Sequence, residues 1–118
     1  MLNYKIRYIE YNGKVDDMVF EFEKERELLS TFLSVEVSAF DEWVKEVFDK
    51  VLSGKSEYEE FNGNICAAEI SPKVTKIYDM LAEDDEYEST HCEVDTQELR
   101  ELMDEWINKV KKLKNSRR

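Results

Sequence analysis

The side chains that most often do chemistry in proteins are scarce in this sequence. Cys66 and Cys92 are its two cysteines, and His91 is its single histidine. Together they offer three zinc ligands, but without the Cys-x-x-Cys or His-x-x-x-His spacing of typical zinc sites. No export signal precedes the thiols, so we expect them to stay reduced. We therefore predict no metal site and interpret Cys66, which lies in an apolar run, as a buried hydrophobic residue.

Motifs for phosphate binding and catalysis are also missing. Gly13, Gly54 and Gly63 are isolated, so neither G-x-x-x-x-G-K-[ST] nor G-x-G-x-x-G can be written. Carboxylate pairs such as Glu59 and Glu60 exist, but among 28 acidic residues they do not identify a catalytic acid and base. These absences predict a protein that is not an enzyme and that uses no cofactor.

Charge is the main chemical feature of the chain. The net charge is −11, the wrong sign for direct binding to nucleic acid by phosphate neutralisation. Residues 83–105 hold eleven acids and one base, whereas residues 106–118 hold six bases and no acid. A helix macrodipole favours acids at its start and bases at its end, but residues 83–88 precede the last predicted helix. We interpret them as a solvated loop or as an electrostatic landing surface for a basic protein, since the D-x-[DN]-x-[DN]-G calcium pattern is absent.

Length and composition bound the architecture. A chain of 118 residues with 42% apolar residues and one proline can bury one core but not two, so we predict a single domain over residues 1–118. No apolar run reaches the roughly 20 residues of a membrane helix, and the first residues lack a signal-peptide layout. We expect a cytoplasmic protein that does not bind membranes.

The elements follow from hydrophobic spacing. Residues 4–11 and 15–22 predict a β-hairpin, for which a three-residue loop sets Tyr8 opposite Met18 and a two-residue turn at Asn12-Gly13 sets Tyr8 opposite Asp17. Because the first register aligns apolar side chains, we predict the longer loop.

Two amphipathic helices are predicted, at about 38–52 and 96–113. Ser38 is the expected N-cap of the first helix, and Asp95 with Glu98 forms a capping box for the second. We expect both helices to pack on a sheet through apolar side chains, namely Trp43, Phe48, Leu102 and Trp106.

The rest of the chain is predicted to form strands and loops. Strands are expected at 57–61, 65–70 and 74–81, with the 65–70 strand central, and an exposed loop is expected at 82–91. Residues 28–37 are interpreted as a helical turn followed by a strand through Leu33, Val35 and Val37. The predicted fold class is α+β, with a mostly antiparallel sheet of four to six strands.

Three stretches of the second half carry a family resemblance. They are residues 61–66 (FNGNIC), 75–79 (TKIYD) and 92–106 (CEVDTQELRELMDEW), with the acidic loop before the third. Over residues 57–113 the chain resembles the small bacterial immunity proteins of contact-dependent growth inhibition systems. The first half matches only in its order of hairpin and helix. The matched positions are fold positions and not toxin contacts: Gly63, Thr96, Leu99, Leu102 and Trp106.

The resemblance implies a non-enzymatic inhibitor of the toxic C-terminal domain of an exported protein, commonly a nuclease. Nucleases are basic where they hold phosphates, so an acidic surface suits this partner. The expected toxin contacts are Glu83, Asp84, Asp85, Glu86 and Glu88, with Tyr87 as an aromatic anchor or as an ordinary loop tyrosine. Two alternatives stay open: a phage-type acidic nucleic-acid mimic that inhibits a DNA-binding host enzyme, and a structural or regulatory subunit. The oligomeric state is not defined by the sequence.

Overall fold

The computed structural model describes residues 2–81 and 91–116. In these residues the chain forms a two-stranded hairpin, a four-stranded antiparallel sheet and two long helical segments. The predicted α+β class is confirmed.

The first hairpin consists of β1 (Lys5–Tyr11) and β2 (Lys14–Glu21). Tyr8 lies opposite Met18, as predicted, but Tyr11 pairs with Lys14, so the predicted three-residue loop is wrong. A two-residue turn closes the hairpin, with φ of 53° at Asn12 and 78° at Gly13. The register changes by one residue at a bulge after Ile9. The bulge lets the chain keep both the favoured Asn-Gly turn and the apolar register.

A helical segment follows the hairpin. After a 3₁₀ turn at Lys24–Arg26, it comprises α1 (Leu28–Thr31), a π-helical stretch (Phe32–Val37) and α2 (Ser38–Leu52). The strand predicted through residues 33–37 is therefore wrong. Four side chains spaced three, four and eight residues from the first are fully buried, namely Leu29, Phe32, Leu33 and Val37. Burial of this helical face outweighs the alternating pattern that suggested a strand.

The helix predicted at 38–52 is confirmed, but it does not begin at an N-cap. Val37 has helical angles of φ −64° and ψ −39°, so the chain is already helical where α2 begins, and the helix kinks two residues later at Phe40, where φ is −121° and ψ is 20°. The Ser38 hydroxyl instead donates a hydrogen bond to the Leu33 carbonyl oxygen, 3.3 Å away. The prediction of Ser38 as a cap fails because there is no helix start at this point.

The second sheet has the order β3-β4-β5-β6, and every neighbouring pair is antiparallel. Its strands are β3 (Glu59–Asn62), β4 (Cys66–Ile70), β5 (Val74–Asp79) and β6 (His91–Asp95). β4 lies inside the sheet, as predicted. β6 was not predicted, and it takes His91 out of the expected loop. Cys92 and Val94 are its only apolar residues, too few to indicate a strand by alternation.

The last helix, α3 (Thr96–Ser116), confirms the prediction at 96–113 and extends three residues further. Asp95 Oδ2 accepts a hydrogen bond of 2.9 Å from the Glu98 amide, which is half of the expected capping box. The buried hydroxyl of Thr96 donates to the Ser71 carbonyl oxygen at 2.6 Å and lies 2.8 Å from Thr75 Oγ1. The start of α3 is thereby joined to the sheet.

The helices and both sheets share one hydrophobic core. Three of the four predicted packing residues, Phe48, Leu102 and Trp106, are buried in it. Trp43 is half exposed, so its assignment to the core is wrong in part. It stands at the margin of the helix face, where one side of its ring contacts Phe61 with ring centroids 4.8 Å apart.

Candidate functional site

The predicted toxin contacts lie outside the described residues. All of them fall between the two described ranges, which end at Leu81 and begin again at His91: Glu83, Asp84, Asp85, Glu86, Tyr87 and Glu88. Their role therefore stays a prediction. The described surface nevertheless contains a second acidic and aromatic region, which sequence reasoning did not identify.

This region is one side of the four-stranded sheet. The inner side faces the core and includes a buried row across all four strands, formed by Phe61, Ala68, Ile77 and Cys92. The opposite side, here called the outer sheet face, alternates with these positions and is formed by Tyr58, Glu60, Asn62, Ala67, Glu69, Lys76, Tyr78, His91 and Glu93. Its charged and aromatic side chains are half-buried or exposed. Among the described elements, the helices contribute to the core on the inner side.

Strand register places the charges of this face in one row. Glu60 lies opposite Glu69, Glu69 opposite Lys76, and Lys76 opposite Glu93. Three carboxylates thus share one base. Like charges directly opposite each other in an antiparallel pair destabilise it, so the placement of Glu60 beside Glu69 costs folding free energy.

Two tyrosines stand among these carboxylates. Tyr58 is 46% exposed and donates a hydrogen bond of 2.8 Å to Glu60 Oε1. Partial burial and this hydrogen bond raise the pKa of Tyr58 to about 12. Burial and the charges of Glu69 and Glu60 raise the pKa of Tyr78 as well. At neutral pH both phenols keep their protons, as ordinary tyrosines do, so they can donate hydrogen bonds among these carboxylates.

Acids on the helices are arranged differently. Arg100 bridges Asp49 at 2.9 Å and Asp104 at 2.8 Å, which joins α2 to α3. Lys45 lies 3.3 Å from Asp41, one helical turn away. These bases compensate neighbouring acids within the protein, whereas the central row of the outer sheet face keeps an excess of negative charge.

A buried carboxylate supports one end of this sheet. Glu36, in the π-helical stretch, is fully buried. Its Oε1 accepts a hydrogen bond of 2.8 Å from the Asn64 amide, and its Oε2 accepts hydrogen bonds of 2.8 and 2.6 Å from the Ile65 and Cys66 amides. Glu36 thus fixes the turn between β3 and β4. Sequence reasoning missed it, although an acid within the apolar run at 32–37 was a signal of burial with a partner.

The thiols are buried on or beside the inner side of the sheet and are not bonded to each other. Burial raises the pKa of Cys66 to about 12 and that of Cys92 to about 11. Cys66 is therefore a buried, unreactive thiol, in line with its interpretation as a hydrophobic residue. Over residues 2–81 and 91–116, no three His, Cys, Asp or Glu side chains are grouped so that they could hold a metal ion.

None of the described helices combines the length and apolar character needed to cross a membrane. The longest, α3, carries charged residues along its whole length.

Comparison with known proteins gives one strong similarity. A curated protein of Bacillus cereus named "Immunity protein" is 42% identical to this chain over 106 residues, which is 90% of this chain and 86% of that protein. No family model matches the chain, and no solved structure matches it. The similarity covers too much of the sequence to arise from one shared amphipathic helix.

Proposed function

Because the chain belongs to the same family as the Bacillus cereus immunity protein, we propose that it binds and neutralises a cognate toxin as a non-enzymatic inhibitor. The identity of 42% across 90% of the chain is the observation that carries this proposal. Protection against a lethal toxin requires a complex with a dissociation constant of about 1 nM or lower, which corresponds to about −12 kcal/mol.

We infer further that the toxin is a basic nuclease domain from a contact-dependent growth inhibition protein. The charge of the chain supports this class of partner. A net charge of −11 favours association with a basic surface, and nucleases need basic subsites to hold phosphates. Carboxylates of an inhibitor can occupy such subsites without any nucleic acid being present.

The acidic segment 83–88 is the proposed first point of contact. It holds five carboxylates in six residues, with Tyr87 among them. Charge of this density accelerates encounter with a basic partner, and a tyrosine offers a large contact area at low entropic cost. The inhibitor is proposed to act in the cytoplasm of the producing cell.

The test uses the C-terminal domain of the protein encoded immediately upstream of this chain. Cells expressing that domain are grown with this chain, with an unrelated acidic protein of similar size, or with neither. We expect growth only with this chain, and calorimetry on the purified pair should give one-to-one binding in the nanomolar range. No rescue and no heat of binding would reject this toxin as the partner and favour an acidic nucleic-acid mimic, which competition binding with DNA-binding enzymes would then test.

A further inference from the structure

We propose that the outer sheet face is a docking surface for a basic protein surface, and that the toxin covers it in the inhibited complex. This inference rests on the proposed function and adds a second contact region to the acidic segment. The residues that support the docking surface are Tyr58, Glu60, Glu69 and Tyr78.

The placement of Glu60 and Glu69 is unfavourable for folding. The two residues are directly opposite each other on β3 and β4, where like charges repel. A lysine at position 60 would form an opposite-charge pair with Glu69 and stabilise the sheet. A destabilising charge pair on the surface indicates a binding site, because residues at binding sites commonly lower the stability of the fold.

The composition of the outer sheet face is typical of a protein interface. Tyrosine is enriched in the central parts of protein interfaces, where it packs its ring and donates through its hydroxyl. Tyr58 and Tyr78 are near the same carboxylates, since the charges of Glu69 and Glu60 affect both phenols. Aromatic donors within an acidic row match a partner that presents lysine and arginine side chains.

A second copy of this chain is an unfavourable occupant of the outer sheet face. A symmetric dimer would bring this face against itself, because two-fold interfaces use the same patch on both subunits. The row of Glu60, Glu69, Lys76 and Glu93 would then meet an identical row with the same excess of acid. Repulsion between the rows disfavours that dimer, whereas a basic partner gains from the same charges.

The experiment compares two pairs of variants with equal changes. Glu60→Lys on the outer sheet face is matched by Glu46→Lys on an exposed position of α2, so that both proteins have the same net charge. Tyr58→Ala is matched by Tyr11→Ala, a tyrosine that is 71% exposed at the hairpin end. Affinity and association rate are measured against the purified upstream-encoded toxin domain at low and at high salt, and thermal midpoints are recorded for every variant.

We expect Glu60→Lys and Tyr58→Ala each to weaken binding ~10-fold or more, and both controls to change it less than about 3-fold. Glu60→Gln, which keeps an oxygen for the Tyr58 hydroxyl, should melt at or above the wild-type midpoint while binding less tightly. Higher stability with lower affinity distinguishes a docking role from a structural one.

Two other outcomes overturn the inference in different ways. If the wild-type protein binds the toxin tightly and the Glu60 and Tyr58 variants bind like their controls, the outer sheet face is not the docking surface and the proposed function stands. If the wild-type protein does not bind this toxin, the proposed function fails for that partner and the inference fails with it. A lower midpoint for Glu60→Gln overturns the argument from like-charge repulsion.

Discussion

Gly63 lies directly against the carboxylate of Glu36. A Cβ atom built at Gly63 would overlap the Glu36 side chain, which is held in place by hydrogen bonds from the Asn64, Ile65 and Cys66 amides. The turn between β3 and β4 is therefore closed around a buried acid from the π-helical stretch. This contact gives a physical reason for glycine at one of the positions that carried the family resemblance.

Gly63→Ala should destabilise the protein by about 1–3 kcal/mol, the usual cost of forcing an additional methyl group into a packed site. The methyl group can be accommodated only if the Glu36 carboxylate moves away from the backbone amides that donate hydrogen bonds to it. Urea denaturation measures the loss. Gly54→Ala is the control, because a Cβ at Gly54 meets no atom within 4 Å and the cost there comes only from the positive φ of 87°. Equal stability of Gly63→Ala and wild type would contradict the contact with Glu36.

Trp106→Ala should cost ~3–5 kcal/mol of unfolding free energy, as large core truncations do. The indole is 3% exposed, meets the Phe20 ring edge to face at 5.1 Å, and donates through Nε1 to Ser38 Oγ at 3.0 Å. Trp106→Phe separates these contributions, because it keeps an aromatic ring but removes the donor. We expect Trp106→Phe to lower the free energy of unfolding much less than Trp106→Ala does. An unchanged thermal midpoint for Trp106→Ala would show that α3 does not pack as described.

The two thiols should resist alkylation until the protein unfolds. A thiol with a pKa of about 12, as at Cys66, is ionised to about one part in ten thousand near pH 8, and the buried sulfur is also shielded from reagent. Mass spectrometry after iodoacetamide treatment should find no modified cysteine in the native state and two in urea. Rapid labelling of native Cys66 or Cys92 would contradict their burial.

The same pKa values predict a loss of stability at alkaline pH. The folded state binds the thiol protons more tightly than the unfolded state, since burial raises the pKa of Cys66 from 9.0 to about 12. Below about pH 9 the thiols are protonated in both the folded and the unfolded state, so they do not change the stability with pH. As the pH rises from 9 toward 12, only the unfolded state loses these protons, and the free energy of unfolding falls. Urea midpoints measured across this interval should fall for the wild type, and they should fall less for Cys66→Ala when each protein is compared with its own midpoint at neutral pH.

Neutralising the acidic segment should slow toxin association without changing stability. Replacement of Asp84, Asp85, Glu86 and Glu88 by the corresponding amides removes four negative charges, and we expect the association rate at low salt to fall ~10-fold or more. Stopped-flow mixing at low and high salt measures this rate. The control carries four neutralised acids at exposed positions elsewhere: Glu10, Glu25, Glu46 and Glu101. If both proteins associate equally fast, net charge and not this segment guides the encounter.

Local patterns in the sequence predicted much of the fold. Helical spacing identified α2 and α3, apolar alternation before an Asn-Gly turn identified the first hairpin, and an apolar run after Asn62-Gly63 identified the second. These signals depend on neighbours within one element or one turn. The pairing of Tyr8 with Met18 was also predictable, since one register alone aligned the apolar side chains. The turn length was not predictable, because the bulge after Ile9 combines a register and a turn that are incompatible in a hairpin without a bulge.

The candidate site was predictable only in part. Acidic residues at 83–88 stand out in composition, and their role stays a prediction. The opposition of Glu60 and Glu69 could not be evaluated from composition, since carboxylates are abundant throughout the chain. Whether two carboxylates lie opposite each other on an exposed face depends on the strand register and on which side of the sheet the core covers.

Elements whose stability comes from their own periodicity were predictable from the amino-acid sequence, and so were the acidic charge and the absence of recognisable catalytic motifs. Three features depend on long-range packing instead: residues 28–37 are helical, Glu36 is buried, and residues 91–95 form a strand. The reason is the same in each case. A short segment with mixed signals takes the conformation that buries its apolar side chains and satisfies its polar groups against distant parts of the chain, and those partners are brought together only by folding.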